Sequence, residues 1–426
     1  MIDLFFYCLQ RLIFFLGGRK HFSIYKRMME GRFENADKLD SLLSWATKTI
    51  PRYKSLSGKS DELKLIDFPI IGKKEVQEEL DSLINPEIKS SEMIRSYTGG
   101  STGEPTVFYH SRAFRDIMSA AVWRAWTWAG WKPGQSIIYI WGAPEDIRTD
   151  WHYKSKNFFS RKTYINAFDC SESDYKKWVQ IYNKKKPSLL YGYANSIGAF
   201  AKYILDNNIS VFKPNAIVTS TEMLFPEARK NIESAFGRKV YNMYGSREMW
   251  EIASECKKGR MHIFSDICCL ESVPDDLGVN HLILTVLHNE AMPLIRYDTG
   301  DTGDVLEDKC PCGSKFPVMD LKIGRQLDFI IGPDNKRIDP YFLYYLMYDI
   351  PGISKYQFYQ KTQLSVELKI VKSPSFSDKT IAHIKKVEQA LRKKLSHDLI
   401  FRITEVEDIQ PGKTGKHKFI ISELCG

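Results

Sequence analysis

The chain has 426 residues, 43% of them hydrophobic and 27% charged, which are the proportions of an ordinary soluble globular protein with room for two or three domains. Its 61 Lys and Arg exceed its 52 Asp and Glu, so the net charge of +9 suits small polyanionic ligands or an anionic membrane face. We find no DNA-binding zinc-finger spacing and no aromatic nucleic-acid signature, so we expect no nucleic-acid partner.

Cysteine usage and the first residues indicate the compartment. The 8 cysteines are too sparse for a disulfide framework, and no cleavable signal is evident, so we expect a reducing, cytoplasmic environment. Residues 1–18 are mostly apolar but shorter than the roughly 20 apolar residues that span a bilayer. Within the N-terminal segment 1–50 they predict either a core or docking helix, or a helix on the inner membrane face assisted by Arg11, Arg19 and Lys20.

The middle of the chain alternates short apolar strands with helices, after a polar and helical region from about residue 20 to residue 90. This alternation predicts parallel βαβ units. The predicted strands are Ser136–Trp141, Ser188–Tyr193, Ala216–Ser220 and Lys239–Met243, and the predicted helices are Ala194–Asp206 and Pro226–Phe236. Farther on, His281–His288 alternates enough to predict a partly exposed strand.

A second, smaller module begins near Gly324. It contains an alternating strand at Leu364–Val371 and a charged amphipathic helix at about Ser377–Lys394. The predicted fold class is therefore α/β, with a large α/β domain over residues 51–325 and a small α+β domain over residues 326–426.

Five short segments could carry chemistry. The first, Tyr97–Pro105, has three glycines and three hydroxyl residues, a composition that can wrap a phosphate but also fits a plain surface turn. The second, Tyr244–Glu248, directly follows a predicted strand at the sheet edge where ligands bind. There Glu248 could hold Mg²⁺, or it could be an ordinary solvated loop acid.

The other three segments offer groups for a ribose and a phosphate. In Arg296–Asp304, an aspartate in a tight glycine turn could accept hydrogen bonds from two ribose hydroxyls. Arg325, at the start of the second module, could add a donor. In Pro411–Lys418, a lysine in a glycine loop could neutralise charge that develops on a phosphate, although a basic tail is usually only solvated.

In this order and spacing, the Gly/Ser/Thr loop, Y-G-x-x-E, Y-x-T-G-D, G-R and the C-terminal G-K resemble the acyl-adenylate-forming superfamily. More narrowly, the chain resembles the phenylacetate–coenzyme A ligase branch and its capsular-polysaccharide-biosynthesis relatives, from about Pro51 to the C-terminus. The segments Arg296–Asp301 and Cys310–Gly313 and the short length favour that branch. The resemblance implies that the small domain is mobile and carries the adenylation lysine.

The resemblance also implies a role for each matching residue. The ATP phosphates would be bound by Thr98, Gly99, Gly100, Ser101, Thr102 and Gly103. Adenine would contact Ser220, Thr221, Glu222, Tyr244 and Gly245, and the ribose would contact Asp301 and Arg325. Glu248 would hold Mg²⁺, and Lys416 would be the adenylation lysine, with Lys413 and Lys418 as alternatives for its register.

Three positions depart from the family pattern. Glu104 stands where the phosphate loop usually has a lysine, and Leu327 stands where a polar hinge residue usually follows G-R. Arg247 lies beside the carboxylate that would hold the metal. None of these changes removes a group needed for adenylation, but they favour an unusual substrate or acceptor.

A zinc site is predicted from four further residues, Cys256, His262, Cys310 and Cys312. Two cysteine-containing loops that flank a strand could supply a tetrahedral Cys₃His site. Because the C-x-C spacing is tighter than usual, separate thiols without a common site are the alternative. Cys268 and Cys269 lie in a strand-like run and are expected in the core.

The implied function is that of an AMP-forming acyl ligase. It would use ATP and Mg²⁺ to convert a carboxylic acid into an acyl-AMP and then transfer the acyl group to an acceptor, which the resemblance suggests is coenzyme A. An amine or hydroxyl of a surface-polysaccharide precursor is an alternative acceptor. A non-catalytic nucleotide-binding scaffold is the alternative from another class.

Overall fold

A computed structural model of the chain describes most of its residues. The described ranges are 2–33, 37–59, 63–97, 106–141, 157–167, 172–276, 278–325, 330–333, 337–338, 340–347, 350–410 and 419–425. The α-helices are α1 (Ile2–Leu16), α2 (His21–Met29), α3 (Lys38–Thr49), α4 (Lys73–Glu78), α5 (Leu80–Leu83), α6 (Arg112–Ala129), α7 (Glu172–Lys185), α8 (Ala194–Asp206), α9 (Pro226–Phe236), α10 (Pro340–Met347) and α11 (Asp378–Lys394). Short 3₁₀ helices lie at Pro51–Lys59, Leu65–Asp67, Ser90–Glu92 and Glu423–Cys425.

The strands are distributed over one large and three small sheets. In chain order they are β1 (Ile94–Tyr97), β2 (Val107–His110), β3 (Ile137–Trp141), β4 (Lys162–Asn166), β5 (Leu189–Tyr193), β6 (Ala216–Ser220), β7 (Val240–Tyr244), β8 (Ala253–Glu255), β9 (Met261–Ile263), β10 (Cys268–Pro274), β11 (Asn280–Val286), β12 (Tyr297–Leu306), β13 (Val318–Arg325), β14 (Ile330–Ile331), β15 (Arg337–Ile338), β16 (Ile353–Thr362), β17 (Ser365–Lys372), β18 (Ile400–Glu405) and β19 (Ile420–Ser422).

The large sheet has 11 strands in the order β10-β11-β12-β13-β9-β8-β7-β6-β5-β3-β4. The strands β4, β3, β5, β6 and β7 run parallel, which confirms the predicted βαβ units. From β7 to β10 every pairing is antiparallel. The sheet therefore changes from parallel to antiparallel at β7, and the segment after β7 lies at this junction.

The parallel strands are buried on both faces, as their continuous apolar runs predict. Successive residues of a strand point to opposite faces. Accordingly, Leu189 packs in one cluster with Trp126 of α6, whereas the next residue, Leu190, packs in a second cluster with Phe200 of α8 and Ile232 of α9. Two layers of helices thus hold this half of the sheet and fix where its strands end.

One prediction for the antiparallel half is wrong. The strand predicted as partly exposed is β11, and its residues from His281 to Val286 are buried, with Leu282, Leu284 and Val286 in the large core cluster. The aspartate of the third segment, Asp301, lies in the ten-residue strand β12, directly after a glycine turn in which Gly300 has a φ of 72° and its backbone N–H donates to Asp298 Oδ1 at 2.8 Å. A bulge between Asp301 and Gly303 interrupts the pairing of β12 with β13.

The C-terminal part has its own sheet, in the order β18-β17-β16-β19, and its own core. Leu368 of β17 packs there with Val387 and Leu391 of α11, and all three side chains are fully buried. The predicted strand and helix are confirmed as β17 and α11. A small α+β unit therefore follows the large sheet, while the exact boundary at residues 325 and 326 stays a prediction.

The first helix, α1, is not the core helix that one interpretation of the sequence predicted. Gln10 is its one buried residue, and most of its large apolar side chains are exposed. Among the helices of the described ranges, none is both long and apolar enough to cross a membrane.

Candidate functional site

The candidate adenine-contacting residues lie at the carboxyl end of β6. Ser220 is the last residue of this strand and pairs with Tyr193 of β5. Thr221 follows with a backbone φ of 69°, which is rare for a β-branched residue and strained. Glu222 Oε2 accepts a hydrogen bond from the backbone N–H of Asn195 at 2.9 Å, so its carboxylate caps the first turn of α8. Glu222 therefore links the segment after β6 to the start of α8, which directly follows β5.

The segment after β7 is a tight turn that buries Glu248. The backbone N–H of Ile252 donates to the Tyr244 carbonyl oxygen at 2.8 Å and closes the turn. A Cβ atom on Gly245 would lie 2.1 Å from the Trp250 carbonyl oxygen, so this position requires glycine. Glu248 is only 6% exposed, which rules out the ordinary solvated loop acid.

Two tyrosine–carboxylate hydrogen bonds join this turn to β12. The Tyr244 hydroxyl donates to Asp301 Oδ2 at 3.0 Å. In the opposite direction, the hydroxyl of Tyr297 donates to Glu248 Oε1 at 2.9 Å. Each element thus contributes one tyrosine and one carboxylate, so the candidate ribose and metal carboxylates are held in a fixed relation to each other.

Strands β7 and β12 are not neighbours, since β8, β9 and β13 lie between them in the sheet. Tyr244 of β7 nevertheless contacts Asp301 of β12, and the strands β8 and β9 between them are only three residues long. Sequence reasoning missed Tyr297. The signal that could have identified it is its position, since this tyrosine lies in the same short segment as Asp301.

The register of the sheet pairs the backbones of the two candidate ribose residues. Asp301 of β12 is directly opposite Arg325 of β13 in the backbone pairing. The remaining predicted positions, residues 98–105, 326–328 and 411–418, include the phosphate loop and the candidate adenylation lysines and lie outside the described residues.

Arg296, at the start of the same segment, has a structural role. Its guanidinium Nη1 donates to the carbonyl oxygen of Phe68 at 3.1 Å, and its Nε donates to Glu271 Oε2 at 3.2 Å. Its backbone is also in the left-handed region, with a φ of 52°. Arg296 therefore joins the 3₁₀ turn at Leu65–Asp67 to the sheet.

Three charged residues are buried close to the segment after β7. The Arg124 guanidinium forms two hydrogen bonds with the Asp266 carboxylate, at 2.6 and 3.0 Å, and both side chains are almost fully buried. Nearby, both carboxyl oxygens of Glu251 are buried with no hydrogen-bond partner among the described residues. Burial raises the pKa of Glu251 well above its ordinary value, and the neighbouring Arg124 charge opposes that shift only in part.

A second cluster unites the four predicted zinc residues. The ligand atoms of Cys256, His262, Cys310 and Cys312 all lie within 4.8 Å of one another. The hairpin β8–β9 supplies the first two residues, and the turn between β12 and β13 supplies the other two. Pairing of His262 with Val318 joins the hairpins, so the common site forms through strand pairing.

The geometry of the cluster fits a tetrahedral metal ion. The Cys256 and Cys310 sulfurs are 3.7 Å apart, and Cys312 Sγ is 3.3 Å from His262 Nε2. Ligands bound to zinc at about 2.0–2.3 Å in a tetrahedron are separated by roughly 3.3–3.8 Å. The thiols are free and are not joined in a disulfide.

Hydrogen bonds with backbone groups orient these side chains for metal binding. Nδ1 of His262 lies 2.8 Å from the Phe316 carbonyl oxygen, which can only accept, so Nδ1 carries the hydrogen and Nε2 keeps a lone pair toward the thiols. Burial lowers the pKa of His262 and so favours the neutral, ligating form. The backbone N–H of Lys258 donates to Cys256 Sγ at 3.3 Å, and that of Ser314 donates to Cys312 Sγ at 3.4 Å.

Sequence comparison relates the chain to two kinds of protein. The CapK C-terminal domain family matches residues 330–423. Protein CapK of Staphylococcus aureus is 27% identical over 386 residues, which span 87% of this chain and 83% of CapK. A phenylacetate-coenzyme A ligase of Thermus thermophilus is 35% identical over 114 residues, or 24% of this chain and 26% of the ligase.

Solved structures share the fold over nearly the whole chain. A 2-hydroxyisobutyryl-CoA ligase in its postadenylation state, in complex with R3-HIB-AMP, superimposes with a TM-score of 0.70 at 18% identity and covers 92% of each chain. An open conformation of that ligase with 2-HIB-AMP and CoA gives a TM-score of 0.56 at 18% identity, covering 92% of this chain and 93% of the ligase. These comparisons show that the chain has the fold of the 2-hydroxyisobutyryl-CoA ligase, and that its sequence resembles CapK over most of its length and a phenylacetate-coenzyme A ligase over a shorter stretch.

Proposed function

We propose that the protein is an AMP-forming acyl ligase that activates a carboxylic acid with ATP and then transfers the acyl group to coenzyme A. The observation that supports this function most directly is the pair of hydrogen bonds Tyr244–Asp301 and Tyr297–Glu248 beside the strand end at Ser220. A ribose-binding carboxylate and a cation-binding carboxylate at the carboxyl edge of a parallel sheet suit a nucleotide triphosphate.

In the first half-reaction, a carboxylate oxygen of the acid attacks the α-phosphorus of ATP, and the bond to pyrophosphate breaks. The chain's own residues orient the nucleotide: Asp301 and Arg325 hold the ribose, and Tyr244 lies against the base. Lys416 offsets the negative charge that develops on the α-phosphate. The acyl-AMP then loses AMP when the thiol of coenzyme A attacks the acyl carbon.

Glu248 is the residue that would hold Mg²⁺. Tyr297 donates to one of its carboxylate oxygens, Oε1. A carboxylate fits a hard cation, which binds one or two carboxylates together with substrate phosphates. When bound, the cation would neutralise negative charge on the phosphates of ATP.

Movement of the C-terminal part would allow a second half-reaction in the same cleft. The 2-hydroxyisobutyryl-CoA ligase occurs in a postadenylation state and in an open conformation, and this chain superimposes on them with TM-scores of 0.70 and 0.56. A rotation around residues 325–328 would withdraw Lys416 and admit the acceptor.

An amine or hydroxyl acceptor on a sugar precursor is the second candidate. The long sequence similarity, over 386 residues, runs to CapK, whereas the similarity to a coenzyme A ligase covers 114 residues. An assay that measures AMP release from purified acyl-AMP distinguishes the two acceptors. Coenzyme A and an aminosugar are added separately, and only the true acceptor should accelerate the release of AMP.

We further propose that the Cys₃His cluster of Cys256, His262, Cys310 and Cys312 binds a structural zinc ion. The four residues would fill all four tetrahedral positions of such an ion, which would leave none for a substrate. The cluster closes the turn between β12 and β13, the strands that carry Asp301 and Arg325. Zinc would therefore stabilise the hairpin on which the ribose contacts depend.

The decisive experiment is ATP–pyrophosphate exchange with pools of carboxylic acids. We expect acid-dependent exchange by the intact protein and its loss in Glu248→Gln and Lys416→Ala, while Lys413→Ala and Lys418→Ala identify the register of the lysine. The matched control is Lys322→Ala, a surface lysine of β13 that pairs with Asp304. Binding of Mg·ATP without exchange in any pool would contradict adenylation and favour a nucleotide-binding scaffold.

A further inference from the structure

The helix α1 presents its apolar face to the outside. It spans 15 residues, or about 22 Å, and its single buried residue is the polar Gln10. The apolar side chains that are more than one third exposed are Ile2, Leu4, Phe5, Leu12, Ile13, Phe15 and Leu16. At about 100° per residue, these positions occupy roughly half of the helix circumference, and that arc contains no charged residue.

This orientation is fixed by polar contacts on the opposite face. Asp3 forms an ion pair with Arg161, whose guanidinium also lies 4.9 Å from the centre of the Phe6 ring. The side-chain amide of Gln10 donates to the Phe159 carbonyl oxygen at 3.1 Å. The polar face thus attaches α1 to the body of the protein, and the apolar face cannot turn inward without breaking these contacts.

The C-terminal end of the helix is fixed as well. Arg19 forms an ion pair with Asp116 of α6, and the backbone N–H of Lys20 donates to the same carboxylate at 2.8 Å. Phe14, which lies on the inner face, packs edge-on against His21 with ring centres 4.4 Å apart. Both ends of α1 are therefore anchored.

The apolar surface extends beyond α1 through a row of aromatic rings. Phe6 lies 5.5 Å from Phe5 and 6.4 Å from Phe158, which in turn lies 5.7 Å from Phe159, measured between ring centres. Phe158 is 69% exposed. A continuous exposed apolar surface of this kind marks an interaction site.

The charge beside this face is positive. Between Ile2 and Met29 the chain has five cationic side chains and one carboxylate, Asp3. Asp3 pairs with Arg161, and two of the cations are paired as well, Arg19 with Asp116 and Lys26 with Glu30. Arg11 and Lys20 are both exposed, and Arg11 borders the apolar arc. Two copies would repel each other at such a surface, whereas an anionic lipid headgroup layer would attract it.

We propose that α1, together with Phe158, docks the protein on the surface of an anionic membrane. The helix would lie in the plane of the bilayer, with Leu12 and Phe15 among the acyl chains and with Arg11 and Lys20 at the headgroups. Such a helix lies on the surface and does not span the bilayer. The inference does not depend on the proposed adenylation chemistry.

Sedimentation with lipid vesicles tests this proposal on the full chain. We expect binding to vesicles of phosphatidylcholine with phosphatidylglycerol, weaker binding to phosphatidylcholine alone, and release by salt. The double variant Leu12→Ser/Phe15→Ser should bind at least about tenfold more weakly, because two inserted side chains are lost. Replacing Arg11 and Lys20 by glutamine should weaken binding to the anionic vesicles roughly tenfold and leave binding to phosphatidylcholine unchanged.

The matched control is Ile400→Ser/Ile403→Ser on β18, where the two isoleucines are 52% and 49% exposed. It should bind vesicles like the intact protein. The two serine variants, Leu12→Ser/Phe15→Ser and Ile400→Ser/Ile403→Ser, should keep the thermal unfolding midpoint and the exchange activity without vesicles. Absence of binding to anionic vesicles, or equal weakening of vesicle binding in these two serine variants, would overturn the proposal. So would an oligomer that Leu12→Ser/Phe15→Ser dissociates while vesicle binding persists, since a second copy would then cover the face.

Discussion

At the scale of single residues, the Tyr297 hydroxyl determines how Glu248 is presented. This phenol is buried, and it donates a hydrogen bond of 2.9 Å to the carboxylate that would hold the cation. We expect Tyr297→Phe to reduce the rate of ATP–pyrophosphate exchange by roughly tenfold and to raise the Mg²⁺ concentration needed for half-maximal rate, as loss of an outer-shell partner commonly does.

The control for this prediction is Tyr25→Phe, which removes another tyrosine hydroxyl, bonded to Thr127 at 2.9 Å on α6. It should leave the Mg²⁺ dependence unchanged. If both variants lose exchange to the same extent, or if Tyr297→Phe changes only the thermal unfolding midpoint, the tyrosine has a purely structural role.

Glu251 predicts a pH dependence of stability. Because burial raises its folded-state pKa above the unfolded value, the folded state binds the extra proton. The contribution of Glu251 to stability is therefore full below the unfolded pKa of about 4.5 and is lost as the pH rises toward the folded pKa. Glu251→Gln removes this loss.

Urea unfolding of Glu251→Gln and of the intact protein at several pH values measures the effect. We expect the variant to gain stability relative to the intact protein as the pH rises from about 5 to about 8, because glutamine cannot ionise. The matched control is Glu78→Gln, which removes an exposed carboxylate on α4. A difference between Glu251→Gln and the intact protein that does not change with pH would contradict the raised pKa of Glu251.

At the scale of elements, the hairpins β8–β9 and β12–β13 depend on their cysteine turns. We expect the purified protein to contain one zinc ion per chain by elemental analysis, and Cys256→Ser or Cys310→Ser to lose it and to unfold at a lower temperature. Cys8→Ser, which changes an exposed thiol on α1, should keep both the metal and the unfolding temperature. A metal-free protein with unchanged stability after chelation would contradict the zinc proposal.

The same hairpins explain why the sequence suggested the four zinc residues but could not show that they form one common site. The spacing of Cys256, His262, Cys310 and Cys312 indicated two loops, whereas the pairing of β9 with β13 brings those loops together. Pairing between strands that are distant in sequence depends on the whole sheet, so no local pattern encodes it.

At the scale of the whole molecule, the C-terminal part has a separate core. Its buried side chains extend from Ile330 to Ile420 and form one cluster of their own. We therefore expect residues 326–426 to fold alone, with cooperative thermal unfolding by circular dichroism. A broad, non-cooperative transition would contradict the predicted boundary.

A substitution in the full chain tests the same division. Leu368→Ala should destabilise the C-terminal part by about 2–5 kcal/mol, because Leu368 is fully buried there. Hydrogen exchange should then rise in β16 to β19 and α11 while the amides of β5 and β6 stay protected. Equal loss of protection in both parts would show one cooperative unit.

The sequence by itself determined most strands of the parallel half, although it did not predict β4. Local periodicity placed the helices Ala194–Asp206 and Pro226–Phe236 with the bounds that the structure has, and it placed β5, β6 and β7 within one residue. These elements are encoded locally, because a buried parallel strand is a continuous apolar run and a helix repeats every 3.6 residues. The order of the motifs also resembles that of the acyl-adenylate-forming superfamily.

Only the tertiary structure decided how distant segments meet. The strand β12 could not be recognised from its glycines and aspartates, and its contact with the segment after β7 through Tyr297 and Glu248 joins residues 49 positions apart. Likewise, the apolar residues 1–18 predicted a core or docking helix or a helix on a membrane surface, but not which face the helix exposes. That face is set by the ion pairs of Asp3 and Arg19 with residues 158 and 97 positions away, which no local pattern in the sequence can specify.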